Sequence, residues 1–343
     1  MAELYVTNYN ANFTGVSATA ANVVRQQVGR YDLALVGEPL PGCPAPLSRA
    51  QAHAASRSAP DGKPFAIWHV RRNPEMRSAL WLRDVRRAPV RIVFTSAAQR
   101  LHSAYPRWLI RRMDAVIATT DEAAGFVPHV RAVVPHGVDT QVFAPAPDRD
   151  AAWAALGYGG ARGIATIGRV RPEKGTDVFV EAMLRLLPQV PDVTALVVGR
   201  AGGKHEAFED GLKAKVAAAG LADRLLFVGE VAADRLPVLM RALSLVVQLP
   251  RYEGYGMVPL EGLASGVPFV GSRTGYFEAF SAQGTVGRVV PLEDAAGAAA
   301  CARQMLEQTE DIAPNARAVA EAQFSAKREA DGIDAVYQAL WST

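Results

Sequence analysis

The segment that decides the fold follows a short apolar run at residues 164–167 and reads Ile167-Gly168-Arg169-Val170-Arg171-Pro172-Glu173-Lys174-Gly175. The apolar run predicts a strand, and the pattern of residues 176–187 predicts a helix. A strand, a glycine turn and a helix in this order form the repeating unit of a doubly wound parallel sheet. The segment therefore predicts an α/β fold.

The loop in this segment has the residue types that bind phosphates. Gly168 allows the backbone to turn tightly where the strand ends. We expect Arg169 and Lys174 to meet across the loop, as two cations placed for a diphosphate. The helix that starts after Gly175 adds backbone N–H donors at its N-terminus. The alternative is a surface loop in which both cations form ordinary salt bridges.

A second segment lies about 80 residues further on, again after an apolar run, and reads Glu253-Gly254-Tyr255-Gly256-Met257-Val258-Pro259-Leu260-Glu261. Its Gly-Tyr-Gly turn lets a phosphate approach the free N–H groups at the start of the next helix, those of Gly256, Met257 and Val258. The two carboxylates lie about 10 Å apart along the chain at 1.5 Å per helical residue. That span suits Glu253 on a hexose and Glu261 on a ribose. The alternative is a surface helix with incidental glutamates.

Apolar runs alternate with helical patterns along the whole chain, which favours an α/β class with parallel sheets. Further strands are predicted at residues 4–6, 33–36, 66–69, 91–95, 115–118, 132–134, 195–198, 225–227, 245–248 and 269–271. Helices are expected at residues 75–87 and 97–113, among others. Residues 136–150 combine prolines, small residues and acids and predict a linker.

This pattern predicts two domains and a terminal helix. We expect Rossmann-like domains at residues 1–145 and 146–325, facing each other across a cleft. Ligands of such sheets bind beyond the carboxyl ends of the strands. Residues 326–343 should form a C-terminal helix that packs back toward the N-terminal domain.

The composition excludes several classes of protein. The chain has 343 residues, of which 50% are hydrophobic and 21% charged, so it is not a disordered protein. Its two cysteines, Cys43 and Cys301, exclude a disulfide scaffold and a cysteine-type zinc site, and the histidines have no metal-ligand spacing. The first residues lack a basic leader followed by an apolar stretch, so we expect no signal peptide and a cytoplasmic location.

Positive charge is concentrated in the first half of the chain. Residues 1–145 contain 17 Lys and Arg against 10 Asp and Glu, and the segment from Arg71 to Arg112 has 11 arginines. This excess favours an anionic partner such as a phosphorylated glycolipid, a phospholipid or a nucleic acid. The alternative is an arginine-rich set of solvated helices.

The two segments together resemble the retaining glycosyltransferases of family four, which have the GT-B fold. The resemblance rests on Gly-Arg-x-x-Pro-Glu-Lys-Gly followed by Glu-x7-Glu, and it covers essentially the whole chain. It implies that Arg169 and Lys174, with Gly168, bind the diphosphate of a nucleotide-sugar donor. It also implies that Glu253 contacts the donor sugar and Glu261 the ribose, and that the segment 254–258 shapes the sugar pocket.

The resemblance assigns further residues outside these two segments. Val228 and Gly229 should border the base. Gly15, in the motif at residues 12–16, should lie over the donor, and His69 matches the active-site histidine of the family. The sequence departs from the family at His136, where asparagine is common, and at Arg200, where an acid is often found.

A closer resemblance is to the lipopolysaccharide core mannosyltransferases, carried by residues 14–19, 68–73, 94–100 and 108–119. It implies transfer of mannose from GDP-mannose, with retention, to a Kdo-lipid A-type core acceptor. No cofactor beyond the donor and no metal ion is expected. The remaining alternatives are another NDP-sugar with a different glycolipid or small acceptor, or a GT-B-fold nucleotide-sugar binding protein or epimerase without transfer.

Rival classes fit less well. An oxidoreductase is disfavoured because no predicted strand is followed by Gly-x-Gly-x-x-Gly. A nucleic-acid binder would explain the basic half but not the paired glutamates. Tyr105, Trp108 and Ile110 lie among arginines, which raises the separate hypothesis of peripheral association with the cytoplasmic face of the inner membrane.

Overall fold

The computed structural model describes residues 1–12 and 14–343, and the chain divides into two compact units. The N-terminal unit comprises Met1–Gly137 and Phe324–Thr343, and the central unit comprises Val138–Gln323. The structure thus changes unit after Gly137, earlier than the expected boundary at residue 145. The chain from Phe324 onward belongs to the N-terminal unit.

Within the described residues the strands form two parallel six-stranded sheets, one in each unit, in the orders β2-β1-β3-β4-β5-β6 and β12-β11-β10-β7-β8-β9. The strands are β1 (Leu4–Asn8), β2 (Leu33–Gly37), β3 (Ala66–Val70), β4 (Val90–Ser96), β5 (Ala115–Ala118), β6 (Val130–Val133), β7 (Arg162–Ile167), β8 (Val193–Val198), β9 (Leu225–Gly229), β10 (Leu245–Gln248), β11 (Phe269–Ser272) and β12 (Gly287–Val290). Because helices cover both faces, strands such as β3 and β8 are buried at every residue rather than at alternate ones.

The helices alternate with these strands as in other doubly wound folds. They are α1 (Gly15–Gln27), α2 (Arg49–Ala55), α3 (Asn73–Leu80), α4 (Ala104–Ile110), α5 (Asp121–Ala124), α6 (Arg149–Ala154), α7 (Thr176–Leu186), α8 (Glu206–Ala218), α9 (Leu236–Ala242), α10 (Met257–Ala264), α11 (Phe277–Phe280), α12 (Ala295–Glu307), α13 (Thr309–Phe324) and α14 (Ala326–Trp341). A π-helical turn, Trp81–Val85, extends α3, and a 3-10 turn, Pro172–Lys174, precedes α7.

The sheet of the N-terminal unit has an apolar core on each face. On one face the Tyr5 and Trp68 rings stack with their centroids 5.3 Å apart, and Trp68 Nε1 donates to Ser56 Oγ at 3.0 Å. On the other face, Ile333 and Tyr337 of α14 join the buried cluster of β1. Fully burying one such large side chain contributes about 1.5–3 kcal/mol, so α14 is held by its apolar stripe.

One predicted helix is too long, and one strand was not predicted. The helix expected at residues 97–113 is only Ala104–Ile110, and Pro106 gives the reason. Proline has no N–H for a helix interior but is tolerated in the first turn, so the helix begins just before it. The sequence also missed β12, a four-residue strand that contains a glycine and an arginine.

A close backbone approach fixes the loop between β7 and α7 against the end of β10. Gly175 has a φ of +65°, and a Cβ there would lie 1.7 Å from the carbonyl oxygen of Leu249. Gly220 has nearly the same backbone conformation, with a φ of +69°, but no atom lies within 4 Å of its Cβ position. Substitutions at these two glycines therefore distinguish the free-energy cost of backbone strain from that of steric contact.

We predict that Gly175→Ala destabilises the protein much more than Gly220→Ala. The Gly220 variant should lose about 1–2 kcal/mol, the cost of a left-handed conformation for an alanine. The Gly175 variant should lose roughly 2 kcal/mol more, because the methyl group must displace backbone. Urea denaturation followed by tryptophan fluorescence measures both. Equal losses would show that the loop moves away freely.

Candidate active site

Three glycines bring strand ends of the central sheet close together. The N–H of Gly168 donates to Val198 O at 2.9 Å, and the N–H of Gly199 donates to Gly229 O at 2.7 Å. A Cβ on Gly199 would lie 2.0 Å from the carbonyl oxygen of Gly168. The backbone of these three glycines therefore lies at the carboxyl ends of β7, β8 and β9. Ligands bind at this position in such sheets.

Lys174 and Glu253 form an ion pair at this edge. The distance from Lys174 Nζ to Glu253 Oε2 is 2.6 Å, and both side chains are partly exposed. The other oxygen, Glu253 Oε1, accepts from the N–H of Gly254 at 2.9 Å. The structure thus brings the predicted lysine to the predicted glycine turn, although they lie 79 residues apart in the chain.

Arg169 is placed differently. It follows Gly168 at the end of β7 and is exposed, and its side chain makes no hydrogen bond or ion pair with any described residue. No bond links it to Lys174 or to the turn at Glu253. Its guanidinium is therefore open to an anionic ligand from solvent, and its role stays a prediction.

The helix after the glycine turn has an open N-terminus. Gly256 precedes α10 with a φ of +95°, and a Cβ on it would lie 2.1 Å from the Phe277 ring. Among the described residues no side chain caps α10, whereas Asp148 and Asp294 cap α6 and α12 by accepting from backbone N–H groups. The N–H groups of the first turn of α10, at Met257 and Val258, have no intrahelical acceptor. Together with the positive end of the helix dipole they can bind an anion.

Aromatic packing holds the turn itself. Tyr255 is buried and stacks on Tyr276 with ring centroids 5.2 Å apart, while its ring edge meets Phe280 at 5.3 Å. Its carbonyl accepts from the N–H of Tyr276 at 3.0 Å. Tyr255 therefore points into the protein and positions its two neighbouring glycines.

Glu261 is a buried carboxylate of the central unit. It lies in α10 with 9% of its surface exposed, and its carboxylate makes no hydrogen bond or ion pair with a described residue. Burial alone raises the pKa of Glu261 to about 7. A ligand that donates hydroxyl hydrogen bonds would satisfy this carboxylate and stabilise its charged form.

The predicted base-binding residues lie at the end of β9. Val228 and Gly229 are half-buried there, beside the Gly199 backbone. Arg200, the residue that replaces a common acid, pairs with Glu230 at 3.2 Å, and both side chains are largely exposed. The departure from the family pattern thus forms a surface ion pair at the same edge.

Arg251 is a residue that sequence reasoning missed. Its guanidinium binds both Asp177 oxygens at 2.8 Å and Glu293 Oε1 at 2.6 Å, and it also donates to Pro172 O. Its backbone N–H donates to Glu173 O at 3.0 Å. Arg251 therefore fastens the 3-10 turn that contains Lys174. No short motif contains Arg251 and its acids together, so the sequence offered no signal.

The N-terminal unit contains the other two predicted residues. Gly15 is exposed and begins α1, while residue 13 of the same motif lies outside the described residues. His69 is fully buried: Nδ1 is hydrogen-bonded to the Tyr337 hydroxyl, and Nε2 to Thr95 Oγ1 at 2.7 Å. Burial, with Arg71 nearby, lowers the pKa of His69 well below its usual value. The ring is therefore neutral, and its predicted catalytic role stays a prediction.

The start of the linker is anchored in the N-terminal unit. His136 Nδ1 and the N–H of Gly137 each lie 2.7 Å from one oxygen of Glu329 in α14. Asn22 donates to the carbonyl of Gly137 at 3.0 Å. The histidine that replaces a common asparagine thus has a carboxylate partner.

The described residues contain neither a cluster of metal-binding side chains nor a helix able to span a membrane. Among residues 1–12 and 14–343, no three His, Cys, Asp or Glu side chains are grouped so as to hold a metal ion. In the same residues, every helix is too short or too polar to cross a membrane.

Two parallel six-stranded sheets, one in each unit, are the architecture of the GT-B fold. The fold matches the Anabaena protein Alr3699/HepE, solved with UDP and glucose, with a TM-score of 0.80 and 17% identity, covering 98% of this chain and 100% of that one. The model of the family "Glycosyl transferases group 1" matches residues 154–322.

Two relatives are similar over nearly their whole length. Lipopolysaccharide core biosynthesis mannosyltransferase LpsB of Rhizobium meliloti is 41% identical over 98% of this chain and 97% of its own. The corresponding mannosyltransferase LpcC of Rhizobium leguminosarum bv. viciae is 40% identical over 98% of this chain and 96% of its own. The chain belongs to the group 1 glycosyltransferases, and the expected GT-B fold and enzyme class are confirmed.

We predict that Glu261 makes stability depend on pH. A carboxyl whose pKa is raised by folding binds its proton more tightly in the native state, so stability falls as pH rises from about 4.5 toward 7. Relative to Glu261→Gln, the ligand-free parent should lose about 2.5 kcal/mol of unfolding free energy between pH 5 and pH 8. Urea denaturation at both pH values measures this difference.

The matched control is Glu307→Gln, which removes an exposed carboxylate of α12 in the same unit. It should follow the parent at both pH values. If Glu261→Gln also follows the parent, the Glu261 carboxylate is solvated or paired and its burial has no electrostatic cost.

Proposed function

We propose that the protein transfers mannose from GDP-mannose, with retention of configuration, to a lipopolysaccharide core acceptor of the Kdo-lipid A type. The observation that carries the proposal is the near-full-length likeness to two lipopolysaccharide core mannosyltransferases, at 41% and 40% identity. The ion pair of Lys174 with Glu253 beside the open N-terminus of α10 supports it, because a sugar diphosphate needs these groups together.

The donor diphosphate is the leaving group, so its charge must be stabilised as the glycosidic bond breaks. In the proposal, the diphosphate takes over Lys174 from Glu253 and also meets the first-turn N–H groups of α10. Glu253 Oε2 then accepts hydrogen bonds from the hexose hydroxyls in place of Lys174, while Oε1 keeps its bond from the N–H of Gly254. Arg169, exposed at the end of β7, adds a second cation. These groups supply positive charge, and the proposal includes no metal ion and no cofactor beyond the donor.

Retention is proposed through attack on the same face of the sugar. In retaining glycosidases, the double-displacement route uses two carboxylates about 5 Å apart, one as the nucleophile and the other as the acid and base. In the central unit, Glu253 Oε1 accepts from the N–H of Gly254 and Glu261 is buried within α10, and the proposal assigns these two carboxylates to the hexose and the ribose. The proposal therefore uses an oxocarbenium-like transition state in which the leaving diphosphate accepts the proton of the acceptor hydroxyl.

The N-terminal unit has a surface suited to an anionic glycolipid at a membrane. A cavity of about 640 Å³ is lined by Arg49, Arg77, Arg112, Trp81 and Trp108, among others. Trp81 and Trp108 are 44% and 53% exposed. Ile110, expected in this patch, is instead fully buried, because it faces the core side of α4. The proposal places this patch on the cytoplasmic face of the inner membrane, with Tyr105 and Trp108 at the headgroups.

A second candidate keeps the fold and changes the ligands. Another NDP-sugar with a different glycolipid or small acceptor would use the same diphosphate-binding groups. A nucleotide-sugar binding protein or epimerase would bind the donor but transfer nothing. Neither is favoured by a specific contact at the strand edge.

We expect GDP-mannose to stabilise the protein most in a thermal-shift screen of GDP-, UDP- and ADP-sugars. Mannose should then be transferred from it to Kdo-lipid A, giving an α-linked product by NMR. A larger shift with a UDP-sugar would favour the second candidate. A β-linked product would contradict retention, and binding without transfer would contradict the enzymatic role.

Lys174→Ala should reduce transfer by about 10²-fold or more, the loss that follows removal of one charge-stabilising donor. The matched control is Lys213→Ala, which removes an exposed lysine of α8 in the same unit and should leave the rate unchanged. Initial rates at saturating donor and acceptor measure both. Unchanged turnover in the Lys174 variant would remove this lysine from the mechanism.

The membrane hypothesis predicts that the protein cosediments with phosphatidylglycerol vesicles at low salt and not with neutral phosphatidylcholine vesicles. The exposed Tyr105 and Trp108 should insert, so replacing both by serine should weaken sedimentation while leaving donor binding intact. Equal recovery with both kinds of vesicle, or none with either, would contradict the hypothesis.

A further inference from the structure

Two adjacent arginines follow β3, and their guanidinium groups differ in hydrogen bonding. Arg72 Nη1 and Nη2 donate to Asn8, Glu75, Thr14 and Ser17 at distances of 3.0 to 3.2 Å. Arg71 is 9% exposed, and all three nitrogens of its guanidinium are shielded from solvent without a hydrogen-bond partner among the described residues. Arg71 is therefore a buried cation whose donors are unused.

The carboxylates near Arg71 are already occupied. Glu75 accepts from the backbone N–H groups of Arg71, Arg72 and Tyr9 and from the Thr7 hydroxyl, all within 3.1 Å. Glu329 accepts from His136 and Gly137, as described above. Both carboxylates act on Arg71 through space only, so neither supplies the missing acceptor.

Burying a guanidinium without an acceptor is unfavourable in free energy. Removing a cation from water without a partner costs several kcal/mol, and burial here lowers the pKa of Arg71 as a consequence. The fork of five N–H donors matches two oxygens of a carboxylate or a phosphate. An oxyanion from outside the chain would provide what the neighbouring residues do not.

The position of Arg71 also fits a ligand. It lies directly after β3, at the carboxyl edge of a parallel sheet, where such sheets bind ligands. Because its nitrogens are closed to solvent, neighbouring groups must move aside before an anion reaches them. Arg72 cannot take this role, because its nitrogens already bind four side chains.

We propose that Arg71 binds an oxyanion of the acceptor, either the carboxylate of an acidic sugar or a phosphate of the lipid. The proposal rests on the proposed function for the identity of the acceptor and names the part of it that Arg71 recognises. Arg71 is thus a residue for acceptor specificity in the N-terminal unit, separate from the groups that hold the donor diphosphate in the central unit.

The test compares Arg71→Met, an apolar side chain of similar length, with Arg57→Met, which removes an exposed arginine of the same unit. Calorimetric titrations use two soluble probes: a Kdo disaccharide, which has carboxylates and no phosphate, and glucosamine 4-phosphate, which has the reverse. Arg71→Met should weaken binding of one probe at least tenfold, and that probe identifies the oxyanion. Arg57→Met should bind both probes like the parent.

Two further measurements separate this role from a structural one. Arg71→Met should keep or raise the urea midpoint of unfolding, since it removes an unpaired buried cation. Its KM for acceptor should rise at least tenfold while the Kd for GDP stays unchanged. Equal binding of both probes by the parent and the Arg71 variant would overturn the inference.

The same experiment distinguishes the two proposals from each other. If the parent binds a probe through Arg71 but transfers no mannose, the inference stands and the proposed function fails. If the parent transfers mannose and Arg71→Met does so with an unchanged KM for acceptor, the proposed function stands and the inference fails.

Discussion

The ion pair between Lys174 and Glu253 connects two loops on which the candidate site depends. One loop follows β7 and leads into α7, and the other follows β10 and leads into α10. The pair forms because β7 and β10 are parallel neighbours in the central sheet, with Ile164 opposite Leu245. Arg251 binds both loops and fixes their separation, so the glycine turn, the open helix N-terminus and the lysine are held together.

Buried polar groups with hydrogen-bond partners stabilise the fold, whereas those without partners are candidates for binding a ligand. Hydrogen bonds to neighbouring residues satisfy the side chains of Glu75, Arg72 and the pair of His136 with Glu329. These groups therefore stabilise the fold. Glu261 and Arg71 are also buried, but their charged groups have no hydrogen-bond partner in the part of the chain that the structure describes, so the charge of each is uncompensated. A ligand with hydroxyl groups would donate hydrogen bonds to Glu261, and an oxyanion would accept them from Arg71.

The failures of sequence reasoning have local causes. Helical periodicity extended α4 back to residue 97, but Pro106 tolerates only a first-turn position. The sequence predicts Ile110 in an exposed patch because arginines flank it in the chain, yet its position on α4 places it in the core. The partners of Arg251 lie 74 and 42 residues away, so their meeting depends on strand order rather than on a motif.

The sequence by itself determined the parallel α/β class, most of the strands, the two glycine segments and the membership of the family, because these follow from local periodicity and short spacings. The tertiary structure alone decided which charges meet and which stay unpaired. Lys174 pairs with Glu253, His69 is hydrogen-bonded to Tyr337 and Thr95, and Arg71 has no acceptor within residues 1–12 and 14–343. The physical reason is that burial and pairing are properties of groups distant in the chain, which only the packed sheets bring together.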